Sequence, residues 1–207
     1  MTLDELKTRV KIKVDEYTPT GVSHAFDDYL GPMIQESADE LSDKAPLYLL
    51  EPSYIIPDYE GLDTNARWED DLFLIDAPAA FARIYEVNFP FWEKPVRVAL
   101  TPEHPDYEKQ ENTYLKAGYG RPVVYLKTAE VEGSAYTKVI VCGKVLEDVP
   151  PTTLLYVMYK NAADMPAVLD EALTWLAASK ILQILDVPEQ AKLAYDNHLS
   201  ELMNKTK

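Results

Sequence analysis

The chain has 207 residues, of which 47% are hydrophobic, enough material for a substantial core and too much for a wholly disordered polymer. Its formal net charge of −15 opposes binding to nucleic acid through phosphate neutralisation, which needs clustered Lys and Arg. No stretch approaches the ~18 uninterrupted apolar residues of a membrane span, and the start Met-Thr-Leu-Asp-Glu-Leu-Lys lacks the apolar centre of a signal peptide, so the chain reads as one that folds where it is made.

Thr2 and Glu5 have the spacing of a capping box, and Leu3, Leu6 and Val10 share a helical face, which predicts a first helix from Leu3. Its end is open, because Val10 to Val14 also alternates like a strand before the turn signals of Asp15 to Gly21. A second helix is predicted over Ala25 to Leu41, with Phe26, Tyr29, Leu30, Met33, Ile34, Ala38 and Leu41 at helical spacing; Gly31-Pro32 is expected to kink or restart it.

From Pro46 to Tyr159 short apolar runs alternate with Pro, Gly, Asp and Asn, the pattern of strands with long connections. The predicted strands are Leu47 to Leu50, Leu72 to Ile75, Ile84 to Phe89, Val96 to Leu100, Val123 to Lys127, Tyr136 to Cys142 and Leu154 to Tyr159. One helix is expected among them, from Pro105 through Tyr107, Gln110 and Tyr114 to Leu115. Fifteen prolines against seven glycines predict connections stiffened by fixed φ angles.

Two helices close the chain. The first is predicted over Met165 to Leu185 behind an Asp164 cap, the second over Pro188 to Asn204 with Asp186 and Glu189 as cap and partner. Val168, Leu169, Ala172, Leu173, Trp175, Leu176, Ala177, Ile181, Leu182, Ile184 and Leu185 leave the first only a narrow polar stripe at Asp170, Glu171 and Thr174. It therefore needs cover on more than one side, partly from a neighbouring subunit. The second shows one apolar face through Ala191, Ala194, Tyr195, Leu199 and Leu202. The whole reads as a single α+β domain over 1–207, with a helical part at 1–45, a mainly antiparallel β-rich part at 46–160 and a helical hairpin at 161–207.

No residue pattern identifies a catalytic, metal or cofactor site. His24, His104 and His198 are far apart, and none has a neighbouring Cys or second His, as a zinc site would need; His198 reads as a packed histidine. Cys142 lies in the apolar run Val139 to Cys142 and reads as a small packed hydrophobe. Gly118-Tyr119-Gly120 lacks the Lys-Ser/Thr of a phosphate loop. Glu69-Asp70-Asp71 and Asp27-Asp28 read as solvated runs or caps, although two carboxylates suffice for a glycoside hydrolase and an acidic chain can hold such a pair anywhere. Tyr54, Tyr59, Trp68, Phe89, Phe91 and Trp92 read as core first, protein interface second and sugar platform third.

Four stretches, taken in order, resemble the head-to-tail connector or neck ring proteins of tailed bacteriophages, particularly crAss-like phages with short tails. They are Phe73-Leu74-Ile75-Asp76-Ala77-Pro78-Ala79-Ala80-Phe81-Ala82-Arg83-Ile84, Phe91-Trp92-Glu93-Lys94-Pro95-Val96, Pro105 to Tyr114, and Gly120-Arg121-Pro122-Val123. The likeness covers Leu72 to Val124; Asp28 to Ala38 and Ala172 to Ala177 are similar to the flanking helices of the same proteins. The resemblance implies a non-enzymatic virion protein, assembled in the host cytoplasm and free of cofactors. It would form a twelvefold ring with itself, bind the portal and the next tail or ring protein, and let DNA pass without specific binding. Trp68, Phe91, Trp92 and Tyr119 are the candidate interface anchors. The competing readings are a cytoplasmic carbohydrate- or peptide-binding protein and an acid-pair glycoside hydrolase.

Overall fold

The structure is a computed structural model that describes residues 1–18, 26–55, 65–112, 115–129 and 137–205. His24, Ala25, Tyr59, Tyr114 and Tyr136 from the sequence reading lie outside them. The chain is of the α+β class and divides into two compact units, Met1–Glu51 with Tyr159–Lys207, and Pro52–Met158.

Among the described residues the first unit holds the α-helices α1 (Leu3–Tyr17), α2 (Asp27–Lys44), α3 (Asp170–Ile184) and α4 (Pro188–Asn204). The capping box forms: the Glu5 amide donates to Thr2 Oγ1 (3.3 Å) and the Thr2 amide to Glu5 Oε2 (2.8 Å). α1 runs on through Val14, because Leu6, Val10, Lys13 and Val14 are buried at helical spacing and the alternation at Val10 to Val14 loses to it. α2 passes through Pro32 without ending, so the helix does not restart there. Leu30, Ile34, Ala38 and Leu41 bury one continuous face across that position, and this outweighs the one backbone hydrogen bond that Pro32 cannot donate.

α3 lies against α1, α2 and α4 at once. Its own chain therefore supplies the cover that the sequence reading assigned in part to a neighbouring subunit; even Thr174, from the expected polar stripe, is fully buried. α3 starts at Asp170 and not at Met165. Pro166 holds Met165 extended (ψ 147°), and short 3-10 turns at Ala162–Asp164 and Ala167–Leu169 precede the helix, so Asp164 does not cap it. α4 has the predicted bounds, but Asp186 is no cap: Val187 holds that position and makes no side-chain capping bond. Ala191, Ala194 and His198 form the buried face of α4, while Tyr195 (39%) and Leu199 (38%) are exposed, so the packed face is rotated from the expected one.

The second unit contains β1 (Ser53–Tyr54), β2 (Ala66–Glu69), β3 (Leu72–Asp76), β4 (Phe81–Asn88), β5 (Val123–Ala129), β6 (Thr137–Gly143) and β7 (Thr153–Met158). They form two antiparallel sheets of order β1-β7-β4 and β2-β3-β6-β5. Alternation explains how the larger sheet packs. Phe73, Ile75, Ile140, Cys142 and Val124 join Phe81, Ile84, Val87, Leu154 and Tyr156 of the smaller sheet in one core. Leu74, Val139, Val141 and Tyr125 point to the opposite face and cluster with Leu100 and Tyr107.

That second cluster explains two corrections. Val96 to Leu100 is not a strand but touches the sheets at two isolated bridges, Val87↔Val96 and Leu100↔Tyr125. Pro105 to Leu115 is not a helix; among its described residues it makes a 3-10 turn at Glu108–Glu111. Pro95, Pro102 and Pro105 interrupt any long ladder, and the segment is instead pinned across the sheet by Leu100 and by Tyr107, whose hydroxyl donates to the Leu126 carbonyl (3.1 Å). Leu47 to Leu50, also read as a strand, is a 3-10 turn behind Pro46, with Leu49 and Leu50 buried. β1 and β2, short and poor in alternation, were not expected.

Candidate functional site

Two turns of the second unit are tied together beside Lys144. The first is the loop between Val87 and Val96, which exchange both backbone hydrogen bonds at 2.8 Å and so close the loop at its stem. Inside it, Pro90 presets a turn in which the Trp92 amide donates to the Phe89 carbonyl (3.0 Å). The second is Gly118 to Arg121, closed by two mutual backbone bonds of 3.1 and 3.0 Å.

The Glu93 amide joins the turns by donating to the Tyr119 carbonyl (3.2 Å). Gly120 matters here: a Cβ on it would lie 3.0 Å from Glu93 Oε1, so the missing side chain lets the carboxylate pack against the turn. Gly143 works the same way from below, because a Cβ there would meet the Ala117 Cβ at 2.8 Å. The segment leading into the second turn therefore crosses directly over the end of β6.

Successive residues of the first loop go opposite ways. Trp92 is 6% exposed, packs on Phe89 with ring centroids 4.9 Å apart, and donates its indole N–H to the Lys144 carbonyl (3.0 Å). It is a core anchor that fixes the loop. Phe91 is 51% exposed and lies 6.5 Å from the Tyr119 ring, while the Lys144 ammonium sits 5.5 Å from that ring's centroid. Trp68 is half-buried, 4.8 Å from Phe73, against the core. Of the four candidate anchors, the structure leaves only Phe91 exposed, beside a half-buried Tyr119 that packs against the core, places Trp92 beneath them and puts Trp68 on β2.

The electrostatics of this end centre on Asp71. Its carboxylate accepts from Lys116 (3.1 Å) and Lys144 (3.5 Å). Burial disfavours its ionisation, but the Lys116 hydrogen bond and the charges of Lys116 and Lys144 outweigh this and hold its pKa below the usual aspartate value. Asp71 is thus a brace between two loops. Of the neighbouring carboxylates, Glu69 pairs with Arg67 (2.9 Å) and Asp70 occupies the tight turn at φ 55°. Asp27 pairs with Lys11 (2.7 Å) in the first turn of α2. Sequence reasoning read the run Glu69 to Asp71 as a solvated run or a cap and missed the brace, since Lys116 and Lys144 are remote along the chain.

The helical unit holds a second surface the sequence did not reveal, an open depression lined by Glu36, Asp39, Glu40, Asp43, Lys44, Tyr159 and Lys180. Lys180 bridges Glu36 (2.8 Å) and Glu40 (3.0 Å), Lys44 also bonds Glu40, and the Tyr159 hydroxyl donates to Asp43. Among the described residues no group of His, Cys, Asp and Glu has the arrangement to hold a metal ion, and no helix is long and apolar enough to cross a membrane. Cys142 is fully buried, and burial pushes its thiol pKa far up. The chain matches no protein-family model and no curated protein.

Proposed function

We propose that this chain is a structural virion protein, a head-to-tail adaptor that assembles as a ring between portal and tail around the DNA channel. One observation carries the reading: the stretch that resembles phage neck proteins, Leu72 to Val124, is the stretch that builds the pinned turns and exposes Phe91 beside Tyr119. Aromatic side chains on a fixed support contribute large contact area at little entropic cost, which is what a docking surface requires.

A ring joins one face of each subunit to a different face of the next. α3 is already covered by its own chain, so it serves as the core of the helical unit and not as a seam. Among the apolar side chains left outside, Tyr195, Leu199 and Met203, at helical spacing on α4, are the surface a neighbouring copy would cover. The net charge of −15 then keeps DNA from adhering as it passes. Mechanism here is differential contact free energy, with incoming copies binding an assembled portal better than one another.

Co-sedimentation of the purified chain with a portal protein of a short-tailed phage tests the proposal. The wild type is expected to sediment with the portal. Phe91→Ala is expected to weaken that binding about tenfold or more, with unchanged circular dichroism because Phe91 lies outside the core. A wild-type chain that never sediments with the portal would overturn the reading.

A further inference from the structure

The two turns that present Phe91 and Tyr119 are locally cationic in a strongly acidic chain. Residues 89–96 and 116–121 contain Lys94, Lys116 and Arg121 against a single carboxylate, Glu93. Lys116 and its neighbour Lys144 are occupied by Asp71. Lys94 and Arg121 are both exposed and enter no ion pair among the described residues. Asp106, a carboxylate that feels Arg121, is itself bonded to Lys109.

A lysine and an arginine outside any ion pair among the described residues, next in sequence to the turns that carry the exposed Phe91 and the half-buried Tyr119, complement a surface that carries carboxylates and an apolar side chain. Arginine in particular matches a carboxylate through two parallel N–H bonds. A nucleic acid fits worse. It presents an unbroken row of phosphates, for which two free cations offer little neutralisation, and no apolar side chain to lay against Phe91. The support is rigid, through the closed stem at Val87 and Val96, the buried Trp92 and the Glu93-to-Tyr119 bond, so binding would order little that is not already fixed.

We propose that this platform takes an acidic protein surface, with carboxylates on Lys94 and Arg121 and an apolar side chain laid against Phe91 and Tyr119. The inference rests on reading the turns as the adaptor's docking surface, and it names the chemistry of the partner that meets them.

The test titrates the ¹⁵N-labelled full-length chain at low salt with three polyanions: a glutamate–tyrosine random copolymer, polyglutamate and a short DNA duplex. The copolymer is expected to bind best and to shift resonances within 89–96 and 116–121. Lys94→Glu with Arg121→Glu is expected to weaken it about tenfold or more, and Lys94→Gln with Arg121→Gln to fall between, all four replacements being at exposed positions. Shifts confined to other surfaces, preference for the duplex, or indifference to charge reversal would overturn the proposal. So would movement of the same resonances on simply concentrating the chain, which would identify a second copy as the occupant. Failure of the titration with portal co-sedimentation intact would remove the partner chemistry alone; the converse result would remove the adaptor role alone.

Discussion

His198 shows how one buried polar side chain is accommodated and what that implies for pH. It is 5% exposed on the packed face of α4, and its Nδ1–H donates to the Ala172 carbonyl of α3 (2.8 Å). Burial lowers its pKa below the ordinary 6.5, more than the hydrogen bond to Ala172 raises it. The folded state therefore binds the proton less readily than the unfolded one. The stability His198 contributes is complete above pH 6.5 and declines as the pH falls through that value toward the folded one. The urea midpoint followed by the helical circular dichroism signal is expected to drop across this window. His198→Asn, which keeps a donor near Ala172 but does not titrate, is expected to flatten the drop; an equal drop in the variant would show that other groups cause it. The histidine's burial was legible because Ala191, Ala194 and His198 recur at helical spacing. Its partner was not, because Ala172 is distant along the chain.

At the scale of elements, the joint between α3 and α4 follows a known helix ending with an unusual residue in it. The Val187 amide reaches the Leu182 carbonyl (3.1 Å) and the Asp186 amide the Gln183 carbonyl (3.1 Å), the bond pair of a Schellman motif. The residue between, Asp186, takes φ 57°, where glycine is the usual choice and a Cβ is strained. Asp186 also puts a negative charge by the negative end of α3. Asp186→Gly is accordingly expected to stabilise the chain by about 1 kcal/mol in urea denaturation, whereas a capping role would make the same change destabilising. The sequence pattern found both helices but read Asp186 as a cap, since a carboxylate before Pro188 has the composition of an N-terminus. The strands β3 to β7 were legible for a similar reason: alternation and β-branched residues mark a half-buried ladder wherever it is continuous. Val96 to Leu100 misled because its apolar residues serve two isolated bridges, and Pro105 to Leu115 because Tyr107 anchors a turn in place of a helix.

At the scale of the whole molecule, the chain folds out and back. The helical unit is built from both ends of the sequence, and Pro52–Met158 forms a second unit between α2 and α3. Within the second unit β1 and β7 pair in register, Ser53 opposite Tyr156, so the two points where the chain enters and leaves that unit are neighbours. Sequence reading placed helices at both ends but could not show that they pack together, because an amphipathic face does not name its partner. It also could not show which aromatics face outward: Phe91 and Trp92 are adjacent and chemically alike, and only the tertiary packing, which buries Trp92 on Phe89 and bonds it to Lys144, separates anchor from surface. The adaptor reading depends on the exposed Phe91 beside Tyr119 and on the resemblance of the stretch that builds them. Electron microscopy of the purified chain mixed with a portal protein of a short-tailed phage tests this most directly. The expected result is a closed ring of added density on the tail-facing end of the portal, with copies in the number of the portal's symmetry; bare portals beside free monomers would contradict it.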